Sequence, residues 1–577
     1  MSAKEPPPKK SKSFVNDEKT QKNVSPSTVN SPSPGTSASS SKELIEKSIK
    51  LVDQLLKKGV DVNFATETKE PALHSAISAN NLPLVEKLIS AGADVNMMSL
   101  AKGPFYDLTP LQVAVENENV KIVELLIKNN AHVNIDSKRS TVLTKAARKG
   151  NFELVDLLIK AGAHVNPDSE QAKPLHMAIA KNNYEMTECL IARGADVNSI
   201  SKNRTSLQTA VKRGNKPIVE LLLRHSADVN DCLNGKSVLC IAVENNNFEL
   251  AELLLNAGAC INPISFYGVP LHWAILENNY GMVEYLITRG ADVNGIGFVD
   301  KYPYQLHGNF SPLQLAVRVN NLNIINLLLN NNADINLVVN NDEFFDDSIT
   351  ALHFAVEFDY SEAAKLLLNN NTIDLEVVTA INQESVLHYA ARYSKDDSMV
   401  NALLEAGADV NHLNGFGNAA ISCSATLDVR NSMEQHIVKL VAAGFAVGEK
   451  NLQEVEEEQI ENLYEKCCNE IEMMRKVKIF ETNYSFYEIL KKSRHEIALF
   501  LINVSDDNFF NEDDLRLRFP LYGGIIYNRL KKGIDRRNFL LKVLHLLYDI
   551  LSEQLPELIL RKVTQYLTNQ DLKISSE

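Results

Sequence analysis

The 577-residue sequence is poor in cysteine, carries no excess of basic charge and contains no long apolar run. Its seven cysteines (Cys189, Cys232, Cys240, Cys260, Cys423, Cys467 and Cys468) are odd in number, scattered, and never spaced C-x-x-C. That distribution argues against a disulfide framework or a structural zinc site and fits a reducing compartment. Lys and Arg number 59 against 73 Asp and Glu, a formal net charge of −14. A general nucleic-acid binder shows the opposite balance, so no nucleic-acid partner is expected. Nothing approaches the roughly 20 apolar residues of a membrane-spanning helix, so no membrane partner is expected either. The opening MSAKEPPPKKSKS lacks the apolar run of a signal peptide, and a cytoplasmic location, a nuclear one or both is expected. The patterns G-x-x-x-x-G-K-[ST], G-x-S-x-G and H-E-x-x-H are also missing. No catalytic residue, cofactor or metal ligand is therefore assigned, and the chain reads as a non-enzyme.

What is present is ordinary in bulk, with 45% hydrophobic and 23% charged residues. The length exceeds what one core supports, so several domains or an extended array are expected. Residues 1–42 are rich in Ser, Pro, Lys and Thr and nearly empty of large apolar side chains. Such a segment buries too little surface to offset its ordering entropy and reads as a disordered tail. Ser25-Pro26, Ser31-Pro32 and Ser33-Pro34 are candidate proline-directed phosphorylation sites, and Lys9, Lys10 and Lys12 a candidate import signal; a plain solvated tail is the competing reading.

From about 43 to 450 the sequence repeats. The phrase Leu88-Ile89 … Gly92-Ala93-Asp94-Val95-Asn96 returns near Asn134, Asn166, Asn198, Asn230, Asn262, Asn294, Asn336 and Asn411. Ahead of it stands a second phrase, as Pro174-Leu175-His176, Pro270-Leu271-His272, Ala351-Leu352-His353 and Val386-Leu387-His388. Its central leucine falls at 143, 175, 207, 239 and 271, a constant step of 32 that marks a stacked helical solenoid. Pro suits a first helical turn, and Leu175, Ala178 and Ile179 share one face. Gly162, Gly194, Gly258 and Gly290 stand where a helix ends in a left-handed residue.

These two phrases resemble the ankyrin repeat, with its T-P-L-H and G-A-D-V-N hallmarks. The resemblance implies an all-α solenoid of helix-turn-helix units with short hairpin loops, about ten full repeats plus degenerate end units. Residues 43–63 read as a capping half-repeat and 418–447 as a degenerate last unit. It also implies that His74, His176, His272, His353 and His388 hold turns together rather than bind metal. Carried over position by position, the family's binding surfaces fall on three regions. One is a basic stripe of Lys138, Arg139, Arg148, Lys149, Lys181, Lys202, Arg204, Lys212 and Arg213, suited to an acidic partner segment, with scattered solvated charge as the alternative. The second holds the loop aromatics Phe266, Tyr267, Phe298, Tyr302, Tyr304 and Phe310, either exposed anchors or residues folded back on a neighbouring loop. The last four lie in or beside an insert that stretches the leucine step to 42 between Leu271 and Leu313. The third is an acidic insert with Asp342, Glu343, Asp346 and Asp347 around Phe344-Phe345, read as a solvated, flexible loop.

After 450 the phrase vanishes. Helices are expected over 451–475, 484–504 and 537–551, with Phe519-Pro520-Leu521-Tyr522-Gly523-Gly524 as a turn-like break. A last amphipathic helix begins at Leu555-Pro556-Glu557. L-P-E-x-I, K-V-x-x-Y-L and the final D-L resemble the start of an F-box, and F-P-x-Y-G followed by it at the end of such an array resembles the PRANC domain. PRANC domains accompany ankyrin repeats in proteins of poxviruses, parasitoid wasps and some of their bacterial symbionts. The resemblance implies that 451–577 is a small helical domain. Its Leu555, Pro556, Ile559, Val563 and Leu567 would dock the adaptor of a cullin–RING ubiquitin ligase, by way of a box truncated relative to the full F-box. The chain as a whole would then be a substrate receptor with a protein target, and host modulation is the expected setting. The alternative is a non-enzymatic scaffold or inhibitor that sequesters a signalling or transcription protein, its C-terminal helices only capping the array.

Overall fold

A threonine or serine begins most first helices, and an asparagine begins the second. In a computed structural model of the chain, which describes residues 37–550 except 67–69, 100–105, 136–139, 169–172, 233–234, 264–268, 302–305, 342–345, 371, 456, 480–483 and 502–510, this grammar recurs unit after unit. Thr109 Oγ1 accepts the Gln112 N–H at 3.3 Å, while the Gln112 side chain accepts the Thr109 N–H at 3.1 Å. The same reciprocal cap forms at Thr205–Gln208, Ser311–Gln314 and Thr350–His353. The turn to the second helix uses one left-handed residue, Asn182 at φ 55 or Gly214 at φ 70, followed by an asparagine cap. Asn183 Oδ1 accepts the Met186 N–H at 2.9 Å, and Asn215 caps Ile218 in the same way. The glycines of the Gly-Ala-Asp phrase close the second helix with φ near +90, as at Gly162 and Gly258.

The chain forms two compact units, 1–164 and 165–577. The first contains Ser37–Lys57 and the helix pairs Ala72–Ser78 with Leu82–Ser90, Pro110–Glu116 with Val120–Lys128, and Val142–Lys149 with Phe152–Lys160. Its opening helix begins inside the stretch read from sequence as a tail, because Ile45, Ile49, Val52 and Leu56 keep a helical spacing that the preceding Ala, Ser and Lys tolerate.

The second unit continues with Pro174–Ala180 and Tyr184–Ala192, Ser206–Arg213 and Lys216–Arg224, Val238–Glu244 and Phe248–Asn256, Pro270–Leu276 and Tyr280–Thr288, Pro312–Arg318 and Leu322–Asn330. Ala351–Glu357 with Ser361–Leu368 and Val386–Tyr393 with Ser398–Ala406 follow. In the last unit a 3₁₀ turn, Ala420–Cys423, replaces the first helix, and Leu427–Ala442 lengthens the second. The central leucines 175, 207, 239, 271 and 313 are buried, and truncating any one to Ala should cost about 2–5 kcal/mol.

Two side-chain ladders fasten neighbouring repeats. His176 Nε2 meets Ser199 O at 2.8 Å, His272 Nε2 meets Phe310 O at 2.8 Å, and His388 Nε2 meets Asn418 O at 3.1 Å. In the first unit His74 Nε2 meets Leu108 O at 3.0 Å. The asparagine ending each Asp-Val-Asn phrase bonds forward twice. Asn230, for example, donates to Gly258 O at 3.0 Å and accepts the Cys260 N–H at 2.7 Å. Burial lowers the pKa of His272 to about 4, so the ring stays neutral and keeps its carbonyl bond.

The strands among the described residues are confined to hairpins between repeats: Ile200–Ser201 with Arg204–Thr205, Gly297–Lys301 with Leu306–Phe310, and Val339–Asn341 with Asp346–Ile349. Of the acidic insert, Asp346 and Asp347 open the second strand of the last hairpin, while Asp342, Glu343, Phe344 and Phe345 lie outside the described residues. Val339 and Ile349 are buried and pair across the hairpin, which anchors the insert.

Beyond the repeats, helices Glu457–Lys476, Phe486–Lys491, Arg494–Leu501, Glu512–Arg518 and Gly523–Ile550 share a core around Ile471, Phe486, Ile489, Phe519, Tyr522, Ile526 and Leu530. The expected 484–504 helix is broken at Ser493, which caps a new one by accepting the Glu496 N–H at 3.2 Å. The turn-like Gly523-Gly524 instead opens a long helix. Gly533 in its interior lies against Arg494–Leu501, where a Cβ would stand 2.3 Å from Ile497 Cγ2. No helix among the described residues is long and apolar enough to cross a membrane.

Candidate partner-binding surfaces

The basic residues divide by what stands beside them. Arg148 and Lys149 end the helix Val142–Lys149, and both face acids one repeat earlier. Arg148 Nη2 lies 2.5 Å from Glu116 Oε1, Lys149 Nζ lies 3.8 Å from Glu116 Oε2 and 3.6 Å from Glu118 Oε1, and buried Lys145 adds a third cation at 3.1 Å. Burial works against ionisation of Glu116, and these three cations outweigh it and hold the carboxyl below its ordinary range. Arg148 and Lys149 are thus compensated charges and not free partner contacts. Lys138 and Arg139 lie outside the described residues.

In the second unit Lys181, Lys202, Arg204, Lys212 and Arg213 are all on the surface, and among the described residues no carboxylate is paired with any of them. Four of them, joined by Lys173, surround a groove of about 390 Å³ floored by His176, Met177, Ala180, Ser201 and Thr209. The hairpin Ile200–Thr205 forms one wall, and its tip residues Lys202 and Asn203 both take left-handed backbone, at φ 50 and 57. The other wall is the C-terminal end of Ser206–Arg213. Burial, with Lys173 nearby, lowers the pKa of His176, so the groove floor stays neutral. The sequence reading missed Lys173 because it stands before the helix, at the cap position and not on the exposed helical face.

Of the aromatic set, Phe266, Tyr267, Tyr302 and Tyr304 lie outside the described residues. Phe298 is on the edge of the same insert, on the strand Gly297–Lys301, paired with Asn309. Phe310 is no exposed anchor: it is 6% exposed, its carbonyl accepts from His272, and its ring packs 5.9 Å from that of Phe354 in the next repeat. The insert is therefore fastened from inside by the residue that closes its hairpin.

Leu555, Pro556, Ile559, Val563 and Leu567 also lie outside the described residues. What is described is how the chain leading to them is held. Glu470, 7% exposed, accepts the Leu521 N–H at 3.0 Å and the Tyr522 N–H at 2.9 Å, at the start of the long helix Gly523–Ile550. Burial raises its pKa, while the two N–H groups and Lys439 act the other way. Tyr522, 2% exposed, donates its hydroxyl to Lys439 O at 2.7 Å in the last repeat helix. Arg516 forks onto Glu405 at 2.8 and 2.5 Å, and Lys532 donates to Ala406 O at 2.7 Å. The repeats are thus fastened to this helical domain through Tyr522 of the F-P-L-Y-G-G run, Arg516 and Lys532, while Glu470 ties the run to the domain's own first long helix; these roles are invisible in sequence because the partners stand far along the chain.

A family model described as ankyrin repeats matches this chain in overlapping stretches at 42–137, 134–201, 175–265, 207–296, 267–339 and 313–414. Two fowlpox virus (strain NVSL) ankyrin repeat proteins, both named as putative, are similar to it. FPV031 is 24% identical over 298 residues, 47% of this chain and 82% of that protein. FPV222 is 25% identical over 279 residues, 45% of this chain and 35% of that protein. Among solved structures, the ankyrin repeat domain of Bcl-3, a member of the IκB protein family, is 25% identical with a TM-score of 0.33, covering 38% of this chain and 97% of that one.

Proposed function

Because the chain belongs to the ankyrin-repeat family, whose repeats bind protein partners, we propose that it is a substrate receptor: the repeats capture a protein target and the C-terminal box presents it to a cullin–RING ubiquitin ligase adaptor. The observation that carries this reading is the helical domain after 450. It has a core of its own around Phe486, Phe519 and Tyr522, and its last described helix, Gly523–Ile550, is followed in sequence by the L-P-E-L-I segment. A receptor needs such a joint, because a docking box hung on a rigid module converts target transfer into a proximity effect. The ligase and its conjugating enzyme would supply the chemistry; the fold is of a kind that ordinarily serves as a non-enzymatic binding scaffold. The similarity to fowlpox virus proteins is in keeping with host modulation, in the cytoplasm, the nucleus or both.

One observation favours the competing scaffold reading. Ala442, Ala443 and Phe445, at the end of the last repeat, lie within the C-terminal core, so this domain also covers the open end of the stack. Affinity purification of the full chain separates the two readings. A receptor brings down the ligase adaptor, and the Leu555→Ala/Pro556→Ala variant, still folded, does not. Equal recovery with both proteins, or none with either, leaves the scaffold.

A further inference from the structure

Acidic residues outnumber basic ones in this chain, so a cluster of cations with no acid among its lining stands apart. Such a cluster surrounds the groove between the repeats beginning at Pro174 and Ser206. Lys173, Lys202, Arg204, Lys212 and Arg213 line it, and among the described residues no Asp or Glu does. We propose that this groove is a recognition pocket for a short acidic segment of the target protein, whose carboxylates it takes between Lys202 and Arg204 on the hairpin and Lys212 and Arg213 on the helix.

The repeat period shows why these charges are unpaired. Arg148 stands one period after Glu116, at the same place in the next repeat, and the two pair at 2.5 Å. Lys212 has the corresponding acid, Glu244, one period further on. Glu244 is held by Lys236 at 2.8 Å, and Lys236 in turn lies 3.5 Å from the centre of the Trp273 ring. Lys216, the next cation after Arg213, is likewise neutralised, by Glu249 at 2.5 Å. Glu244 and Glu249 are thus engaged outside the groove; Asp196, whose charge reaches His176, accepts the Asn198 N–H at 3.0 Å and is not among the groove-lining residues.

The hairpin tip adds a second observation. Its two turn positions are left-handed, a conformation that Asn and Gly adopt readily and Lys does not. Lys202 holds the first of them at the groove edge, where Asn or Gly would be conformationally easier, so charge is kept there at the expense of backbone preference. The floor completes the pocket. Met177 and Ala180 are apolar, Ser201 and Thr209 carry hydroxyls, and His176 is neutral, so bound carboxylates meet low dielectric beneath and cations around them.

Peptide is favoured over nucleic acid by extent. The groove gathers five cations around about 390 Å³ in a chain of net charge −14, so a polyanion that outran it would leave most of its phosphates without a groove cation. A few carboxylates on an extended peptide fit within it.

This inference rests on the reading of the repeats as the target-capturing half. Fluorescence anisotropy with the full chain tests it, using a labelled Asp/Glu-rich peptide, its Asn/Gln counterpart and a labelled single-stranded oligonucleotide. The acidic peptide is expected to bind with an affinity that falls as salt rises, and the amide peptide not to bind. Arg213→Glu should weaken binding by about tenfold or more, the combined Arg204→Glu/Lys212→Glu/Arg213→Glu variant should abolish it, and Lys128→Glu in the first unit should leave it unchanged. The three groove residues are exposed, so circular dichroism should report an intact fold. Undiminished peptide binding by the triple variant overturns the proposal, as does failure of the acidic peptide to bind, or preferential binding of the oligonucleotide through the same residues. Adaptor recovery by the triple variant should stay at the wild-type level, which separates failure of the groove from failure of the receptor reading.

Discussion

Glu470→Ala is the sharpest perturbation of the helix start that lies beside the joint between the repeats and the C-terminal domain. The carboxylate accepts two backbone N–H groups, Leu521 at 3.0 Å and Tyr522 at 2.9 Å, where the helix Gly523–Ile550 begins. Hydrogen bonds to a charged acceptor are worth about 1.5–3 kcal/mol each, and the helix N-terminus adds to the attraction. Against this stands the penalty of burying the carboxylate, which raises its pKa. The net loss on truncation should be about 2–4 kcal/mol, most of it from the two stranded donors. The chain has more than one compact unit, so a single melting curve mixes transitions and a local readout is needed. Native-state hydrogen exchange of the Leu521 and Tyr522 amides supplies one, and a loss of that size should lower their protection by about thirtyfold or more. Since the folded pKa lies above the unfolded one, the carboxyl favours the folded state most below the unfolded value and loses that contribution as pH rises through the folded one. Glu470→Gln keeps an acceptor oxygen without the charge, so it should retain much of the protection and lose the pH dependence. Unchanged amide protection in Glu470→Ala would refute the reasoning.

Three other outcomes follow from single residues. Gly523→Ala would add a Cβ 2.4 Å from Leu515 O; it should destabilise the joint by about 1–3 kcal/mol, seen as faster limited proteolysis, although Ala is the better helix former. Glu376 occupies the ladder position that Asn336 and Asn411 hold on either side, and its carboxylate accepts the Asp409 N–H at 3.3 Å but has no N–H to donate onward. Glu376→Asn should therefore stabilise the array by about 0.5–1.5 kcal/mol and raise its urea midpoint. His272, held neutral by burial with its pKa lowered to about 4, contributes stability that is present above its unfolded value of 6.5 and lost as pH falls toward 4. His272→Gln should flatten the fall in unfolding free energy, followed by urea titration, between pH 6.5 and 4 by up to about 1.4 kcal/mol per pH unit.

The repeat framework was readable because its signals are local and recur. A leucine at one fixed step, a glycine closing the second helix and an Asp-Val-Asn phrase each point to one backbone event that the neighbouring units repeat. The inserts and the C-terminal domain were less readable for the converse reason. Phe310 looked like a loop aromatic because its distance from Phe354 is set by the stacking of two repeats. Gly523-Gly524 looked like a break because nothing near it in sequence announces Glu470, 7% exposed and far earlier in the chain, as the acceptor for the helix start.

The charges fall between these cases. Whether a surface cation is free depends on a residue about one period away, so composition and helical position alone could not separate Arg148 from Lys212. The period itself can. One period along the first-helix end, Glu116 falls opposite Arg148 and Lys212 falls opposite Glu244. The first bond forms and the second does not, because Lys236 reaches Glu244 from within its own repeat. Partner contacts on such an array are thus best sought among the charges left over after every one-period and same-repeat pairing has been made. In the described part of this chain that subtraction removes Arg148, Lys149 and Lys216 and keeps, with other cations, the cluster around the groove at Met177.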